Sequence, residues 1–107
     1  MEIILNEANF DREIKESTFP FLVDFWAQWC GPCQMLGPTL EQIAADFKGR
    51  VNVGKVNVDE NPNLAGNFGV MSIPTLILFV NGQEKERLVG VVPKDRLVQL
   101  LENFLKQ

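Results

Sequence analysis

The sequence predicts an α/β domain in which a mixed central five-stranded sheet is flanked by four helices, and three patterns carry this prediction. Two almost wholly apolar segments, Phe21–Trp26 and Thr75–Val80, are typical of strands that are buried on both faces. Strand and helix patterns alternate through the first half of the chain, which implies parallel strands joined by crossover helices. The dipeptide Asn81-Gly82 is a strong hairpin signal, so the last two strands should be antiparallel.

The N-terminal part of the chain predicts a strand, a short helix and a buried strand, in that order. The first strand is predicted from Glu2 to Asn6. Phe10 and Ile14 share one face of a short helix, because their spacing is close to one helical turn. The turn from Ser17 to Pro20 ends this helix, and the buried strand Phe21–Trp26 follows.

A long amphipathic helix and a valine-rich strand are predicted next. Apolar side chains recur at helical spacing from Met35 to Phe47, and Gly49 ends the helix. Pro38 lies inside this helix and should kink it, because proline removes one donor from the hydrogen-bond ladder. The segment Val51–Val58 then predicts a third strand.

The C-terminal part predicts a short helix, the hairpin and a last amphipathic helix. The short helix is expected over Asn63–Phe68, closed by Gly69. After the buried strand and the Asn-Gly turn, Glu84–Val89 mixes charged and apolar residues as an edge strand does. Pro93 lies near the first position of the last helix. The apolar face of that helix consists of Leu97, Leu100, Leu101, Phe104 and Leu105.

Length, charge and composition limit the classes of function open to the chain. Its 107 residues fit a single domain over residues 1–107, large enough for one core. The net charge is −4 and there is no basic stripe, so we expect no nucleic-acid partner. No apolar run approaches the ~20 residues of a membrane span. The N-terminus lacks the basic region of a signal peptide, so we expect a cytoplasmic monomer with no membrane partner.

The cysteine content points to redox chemistry. Cys30 and Cys33 are the only cysteines, and the chain has no histidine. A zinc site normally takes four ligands from Cys and His, so one molecule cannot build such a site, and we expect no metal and no cofactor beyond the cysteine pair. A purely structural disulfide would close a very short loop and gain little stability. The spacing therefore favours a reversible redox pair, with a structural disulfide as the open alternative.

The flanking patterns give the two cysteines different surroundings. Cys30 follows a buried strand and precedes a helix, where unpaired N–H groups and the macrodipole favour a thiolate. We expect Cys30 to be the more exposed sulfur and the nucleophile, and Cys33, one turn into the helix, to be the more buried, resolving thiol. Gly31 and Pro32 form the spacer, and Pro32 should stiffen the loop and favour the reduced pair.

Two charged residues interrupt otherwise apolar strands. Asp24 falls within Phe21–Trp26, on the face shared by Leu22 and Trp26, and Lys55 interrupts the valine-rich strand in the same way. A lone buried carboxylate is costly, so Asp24 should be partly protonated or paired. Such groups collect at functional sites, but a purely structural ion pair is the open alternative.

Several motifs together resemble the thioredoxin family. They are the run Trp26-Ala27-Gln28-Trp29-Cys30-Gly31-Pro32-Cys33, Pro38, the segment Val58-Asp59-Glu60-Asn61-Pro62, the segment Ser72-Ile73-Pro74-Thr75, and Gly90. The resemblance covers the whole chain. It implies the thioredoxin fold and a reductase that acts on protein substrates containing disulfides and is recharged by a thioredoxin reductase. Two positions depart from the family. Gln34 stands where Lys or Arg is common and so removes a cation near the thiolate, and Gln28 stands where an acidic or small residue is common.

The resemblance also implies roles for residues outside the dithiol. It implies that Asp24 and Lys55 lie side by side under the active site and that Asp24 helps to deprotonate Cys33. It implies a cis peptide bond at Pro74, which faces the dithiol, and an Ile73 backbone that pairs with an extended substrate. The expected apolar rim around Cys30 consists of Trp29, Ile73, Gly90 and Val91.

Two other functions remain open at this point. The same chemistry runs in the opposite direction in a disulfide oxidase or isomerase domain, although the Gly31-Pro32 spacer and a cytoplasmic setting favour reduction. A non-catalytic binding module would use only the apolar rim. Its cellular function would then survive replacement of both cysteines by serine.

Overall fold

Five strands and four helices follow one another in the computed structural model, which describes residues 2–106. In chain order they are β1 (Ile3–Leu5), α1 (Phe10–Glu16), β2 (Phe21–Trp26), α2 (Gly31–Asp46), β3 (Asn52–Asn57), α3 (Pro62–Asn67), β4 (Thr75–Val80), β5 (Gln83–Val89) and α4 (Lys94–Leu105). Every predicted element is present. The largest difference is at α2, which begins at Gly31 and not at Met35, because Gly31 and Pro32 add nothing to the apolar spacing that predicted the helix.

The sheet has the strand order β1-β3-β2-β4-β5. β1 and β2 both pair with β3 in parallel, whereas β4 is antiparallel to β2 and β5 is antiparallel to β4. β2 therefore lies in the middle of the sheet, which explains why its residues are almost all apolar. The predicted mixed α/β sheet is confirmed.

The hairpin between β4 and β5 has the conformation that its sequence predicts. Asn81 and Gly82 both have positive φ angles, 54° and 79°. Two residues of this kind match the twist of a tight antiparallel hairpin, and asparagine and glycine tolerate that conformation best. This turn reverses the chain and places β5 at the edge of the sheet.

Two hydrophobic cores lie on opposite faces of the sheet. Leu22 and Leu76 face α2 and α4, whereas Val23 and Ile77 face α1 and α3. The second core contains tilted and edge-on aromatic pairs among Phe10, Phe25, Phe68 and Phe79. Because neighbouring residues of a strand point to opposite faces, Asp24 lies on the Leu22 side, as predicted. Asp24 is therefore on the face of the sheet that α2 covers.

A close approach inside the sheet requires a glycine in β3. A Cβ atom at Gly54 would lie 2.6 Å from a Leu5 methyl carbon and 2.8 Å from the Phe21 ring. Both side chains are buried, so neither can move away easily. Gly54 thus lets β1 and β2 pack their large side chains over the strand between them. None of the helices described over residues 2–106 is long and apolar enough to cross a membrane.

Candidate active site

The two cysteines lie where β2 gives way to α2. Cys30 immediately precedes the helix, Cys33 is in its first turn, and a disulfide joins them, with their Cα atoms 5.2 Å apart. The Cys33 N–H points at the Cys30 sulfur at 3.1 Å, so this sulfur caps the helix N-terminus. Pro32 occupies a first-turn position at which the helix needs no N–H donor. The arrangement favours negative charge on the Cys30 sulfur once the disulfide is reduced.

The expected difference in exposure between the two cysteines is wrong. Cys30 and Cys33 are 4% and 5% exposed, so both are buried. Cys30 is covered because Trp26, Val58 and Ile73 pack around the pair, and its sulfur lies 3.9 Å from the Ile73 carbonyl oxygen. The two cysteines differ instead in their surroundings, since Cys30 lines an open groove and Cys33 does not.

The segment just before Pro74 lies beside the dithiol, and the peptide bond before Pro74 has the predicted cis geometry. The Ile73–Pro74 peptide bond is cis, and the Ile73 carbonyl on its N-terminal side faces the Cys30 sulfur. On the other side, the Gly90 N–H donates to the Pro74 carbonyl oxygen at 2.8 Å. The segment before β4 is thus held between the active-site loop and the end of β5.

An apolar groove of about 670 Å³ begins at Cys30 and runs towards α3. Its walls come from the active-site loop, from α3 and from the segment that precedes Pro74. The residues that line it are Trp29, Cys30, Gly31, Pro32, Val58, Pro62, Ala65, Gly66, Val70, Met71, Ser72 and Ile73. The sequence-based rim included only Trp29 and Ile73 from this set. Gly90 and Val91 lie outside the groove, and their part in substrate binding stays a prediction.

Trp29 stands at the mouth of this groove. Its side chain is 71% exposed, which is unusual for so large an apolar group. The indole N–H donates to the Asp59 carboxylate at 2.8 Å and fixes the ring beside Cys30. The result is a flat apolar surface next to the reactive sulfur.

Asp24 is the most perturbed titratable group in the described part of the chain. It is 1% exposed, and its Oδ1 atom has no hydrogen-bond partner within residues 2–106. Burial raises the pKa of Asp24 to about 7, with a further increase from Glu2, while Lys55 opposes the rise. A carboxyl group with this pKa exchanges its proton near neutrality, which suits a proton donor or acceptor.

Lys55 lies next to Asp24 in the sheet, as predicted, but its ion-pair partner is a different residue. Asp24 and Lys55 are register neighbours on β2 and β3. The Lys55 ammonium lies 3.8 Å from the Glu2 carboxylate and 4.6 Å from the centre of the Trp26 indole. Within residues 2–106, no ion pair joins Lys55 to Asp24. No sequence pattern pointed to Glu2 at this position, because its contact with Lys55 depends on the pairing of β1 with β3.

Gln34, where the family commonly has a cation, ties the active-site loop to α2. Its side-chain amide donates to the Gln28 carbonyl oxygen at 2.8 Å. This hydrogen bond links the loop before Cys30 to the first turn after Cys33. Gln34 therefore contributes a neutral hydrogen bond, and no positive charge, beside the active-site loop.

Comparison with known proteins agrees with this geometry. The family model described as Thioredoxin matches residues 2–103. One similar relative is "Thioredoxin" of Synechocystis sp., which is 46% identical over 101 residues, 94% of each chain. Another is "Thioredoxin 1" of Nostoc sp., which is 48% identical over 101 residues, again 94% of each chain. "Thioredoxin" of Rickettsia felis is 47% identical over 101 residues, 94% of this chain and 96% of its own.

The chain belongs to the thioredoxin family. Its sheet and helices form the thioredoxin fold, and its redox centre is the Cys30–Cys33 pair. It is a protein-disulfide reductase that works by dithiol–disulfide exchange. Thioredoxins need no cofactor, and over residues 2–106 no group of three or more Cys, Asp and Glu side chains is placed to hold a metal ion.

Proposed function

We propose that Cys30 is the nucleophile and Cys33 the resolving thiol in the reduction of disulfides in protein substrates, and that a thioredoxin reductase recharges the pair. The observation that carries the proposal is the position of Cys30, whose sulfur caps α2 and which lines the open groove, whereas Cys33 does not line it. A substrate disulfide that enters the groove meets Cys30 first.

The reaction consists of two exchanges. The Cys30 thiolate attacks one sulfur of the substrate disulfide, the substrate S–S bond breaks, and the released substrate thiolate takes up a proton. Cys33, once deprotonated, attacks the Cys30 sulfur in the resulting mixed disulfide and releases the second substrate thiolate. Two electrons have then passed to the substrate, and the chain holds the Cys30–Cys33 disulfide. The reductase returns two electrons and restores the dithiol.

Asp24 is proposed as the group that accepts the proton of Cys33. Its support is burial on the face of the sheet that α2 covers, together with a pKa of about 7. Lys55, its register neighbour, adds positive charge that favours the ionised carboxylate. A buried base of this kind makes the second exchange depend on pH.

The substrate is proposed to bind as an extended segment beside Ile73. The Ile73 carbonyl, which precedes the cis bond to Pro74, lies next to the Cys30 sulfur, so a substrate strand that pairs with this backbone brings its disulfide to the nucleophile. Trp29 is proposed to provide apolar contact on one side, and Gly90 and Val91 on the other. We further propose that the chain acts as a monomer in a reducing compartment such as the cytoplasm, where a dithiol is kept reduced.

Substitutions at two exposed methionines test whether the groove binds the protein substrate. Met71 is 95% exposed and lines the groove, whereas Met35 is 70% exposed and lies outside it. Met71→Gln is expected to raise the KM for insulin reduction about 3- to 10-fold, because a polar group replaces apolar contact worth about 1 kcal/mol. Glutamine keeps the length of the side chain and adds no charge near Cys30.

Met35→Gln is the matched control and should leave the KM unchanged. Both variants are assayed with insulin at several concentrations and with dithiothreitol as the reductant. Equal KM values for the two variants would show that the groove does not dock this substrate.

A further inference from the structure

A second buried carboxylate lies close to Asp24 and has no part in the mechanism described so far. The Glu2 side chain is only 11% exposed, although it precedes the first strand. One of its oxygens lies 3.8 Å from the Lys55 ammonium. The other oxygen is buried without a hydrogen-bond partner within residues 2–106. Burying a carboxylate oxygen without a hydrogen bond lowers the stability of the fold, so the contact of Glu2 with Lys55 points to a role other than stability.

The sheet register explains how Glu2 reaches Lys55. Ile4 and Asp24 are the register neighbours of Lys55 on its two sides, in β1 and β2. Residues two positions apart along a strand point to the same face, so Glu2 shares the face of Ile4, Lys55 and Asp24. Lys55 thus stands between two carboxylates. Its ammonium lies with Glu2 and the Trp26 ring, while the Asp24 Oδ1 atom has no partner in the described part of the chain.

We propose that Glu2 is a positioning residue: by holding the Lys55 ammonium on the β1 side, it keeps Asp24 unpaired and so sets the pH at which Asp24 can take up the proton of Cys33. This inference rests on the role of Asp24 proposed above. It adds a residue to the reaction that contacts neither the substrate nor the reacting sulfurs.

The charges around Asp24 shift its pKa in the directions that this arrangement of Glu2 and Lys55 requires. The charged groups that act on Asp24 are Lys55, which lowers its pKa, and Glu2, which raises it. β4 contributes the uncharged Leu76 as the register neighbour of Asp24. α2 contributes Glu41, whose charge raises the pKa of Glu2. Removing the charge of Glu2 therefore lowers the pKa of Asp24 in two ways, through lost repulsion and through release of Lys55.

The test is Glu2→Gln, with Glu16→Gln as the matched control, because Glu16 is an exposed carboxylate at the end of α1. The Asp24 carboxyl carbon is titrated by NMR in the oxidised proteins, and insulin reduction is measured against pH. We expect Glu2→Gln to lower the pKa of Asp24 by about one unit and to move the acidic limb of the rate profile by a similar amount to lower pH. Glu16→Gln should move neither.

Repeating the titration in a Lys55→Gln background separates the two routes. If Glu2 acts by holding Lys55, the shift caused by Glu2→Gln shrinks when Lys55 is absent. An equal shift in both backgrounds, or no shift in the wild-type background, would overturn the proposal. If the pKa of Asp24 moves and the rate profile does not, Glu2 has the proposed effect on Asp24, and it is the role of Asp24 in resolution that fails.

A second variant guards against a folding defect in Glu2→Gln. Glu2→Asp keeps the charge but shortens the side chain, so the carboxylate reaches Lys55 less well. It is expected to lower the pKa of Asp24 in the same direction and by a smaller amount. No shift in Glu2→Asp, with the ion pair broken, would overturn the proposal.

Discussion

Replacing Cys33 with serine is expected to convert the chain into a trap for its substrates. Cys30 can still attack a substrate disulfide, but no second thiol remains to release the mixed disulfide. Replacing Cys30 with serine should trap nothing, because Cys33 does not line the groove and its sulfur does not cap α2. The two variants are matched, since each keeps one thiol of the same pair.

The measurement is gel electrophoresis without reductant after each reduced variant has been mixed with insulin. Cys33→Ser should give a disulfide-linked complex that dithiothreitol separates by reduction, and Cys30→Ser should give none. Alkylation with iodoacetamide adds an independent reading, in which the Cys33→Ser protein reacts much faster at neutral pH. Trapping by Cys30→Ser alone would reverse the assignment of the two roles.

Asp24→Asn is expected to give a more stable protein that completes the second exchange more slowly. The substitution removes a buried ionisable group whose Oδ1 atom has no partner among the described residues. At pH 8 the free energy of unfolding should rise by about 1–3 kcal/mol, the scale for replacing an imperfectly compensated buried charge. Resolution slows because asparagine cannot accept the proton of Cys33.

The gain in stability should depend on pH with a definite sign. The pKa of Asp24 rises from 3.8 to about 7 on folding, so the folded state binds the proton more tightly than the unfolded state does. The contribution of Asp24 to stability is therefore fully present below the unfolded pKa and is lost as pH rises through about 7. Asp24→Asn should match the wild type near pH 4 and exceed it most above pH 7.

Urea unfolding at several pH values, combined with stopped-flow measurement of mixed-disulfide resolution, checks both halves of this prediction. Asp11→Asn is the matched control, since Asp11 is an exposed carboxylate in the first turn of α1. The control should change stability by less than about 1 kcal/mol and should leave resolution unaffected. A resolution rate that Asp24→Asn leaves unchanged at every pH would reduce Asp24 to a structural role.

The fold was predictable because its signals are local. The apolar segments that form β2 and β4 are each contiguous, and the Asn81-Gly82 turn predicts the antiparallel pairing of β4 with β5. The placement of Cys30 at a helix N-terminus follows from the same local order of strand and helix. Strong local patterns of this kind require no knowledge of distant contacts.

The parts that sequence reasoning missed depend on packing between distant segments. The wall of the groove formed by Ala65 and Met71 comes from α3 and the segment after it, which are far from the active-site loop in sequence. The burial of Cys30 depends on the carbonyl of Ile73, which is far away in sequence. Glu2 reaches Lys55 only because β1 adds to the sheet beside β3.

The reduction of insulin disulfides tests most directly whether the Cys30–Cys33 pair reduces protein disulfides. The chain is added in catalytic amounts to insulin and dithiothreitol, and in a parallel assay to insulin, a thioredoxin reductase and NADPH. The wild-type chain should speed the precipitation of insulin well beyond dithiothreitol alone, and Cys30→Ser should abolish the acceleration. Precipitation by the wild type at the rate of dithiothreitol alone, or equal rates for wild type and Cys30→Ser, would contradict the assignment.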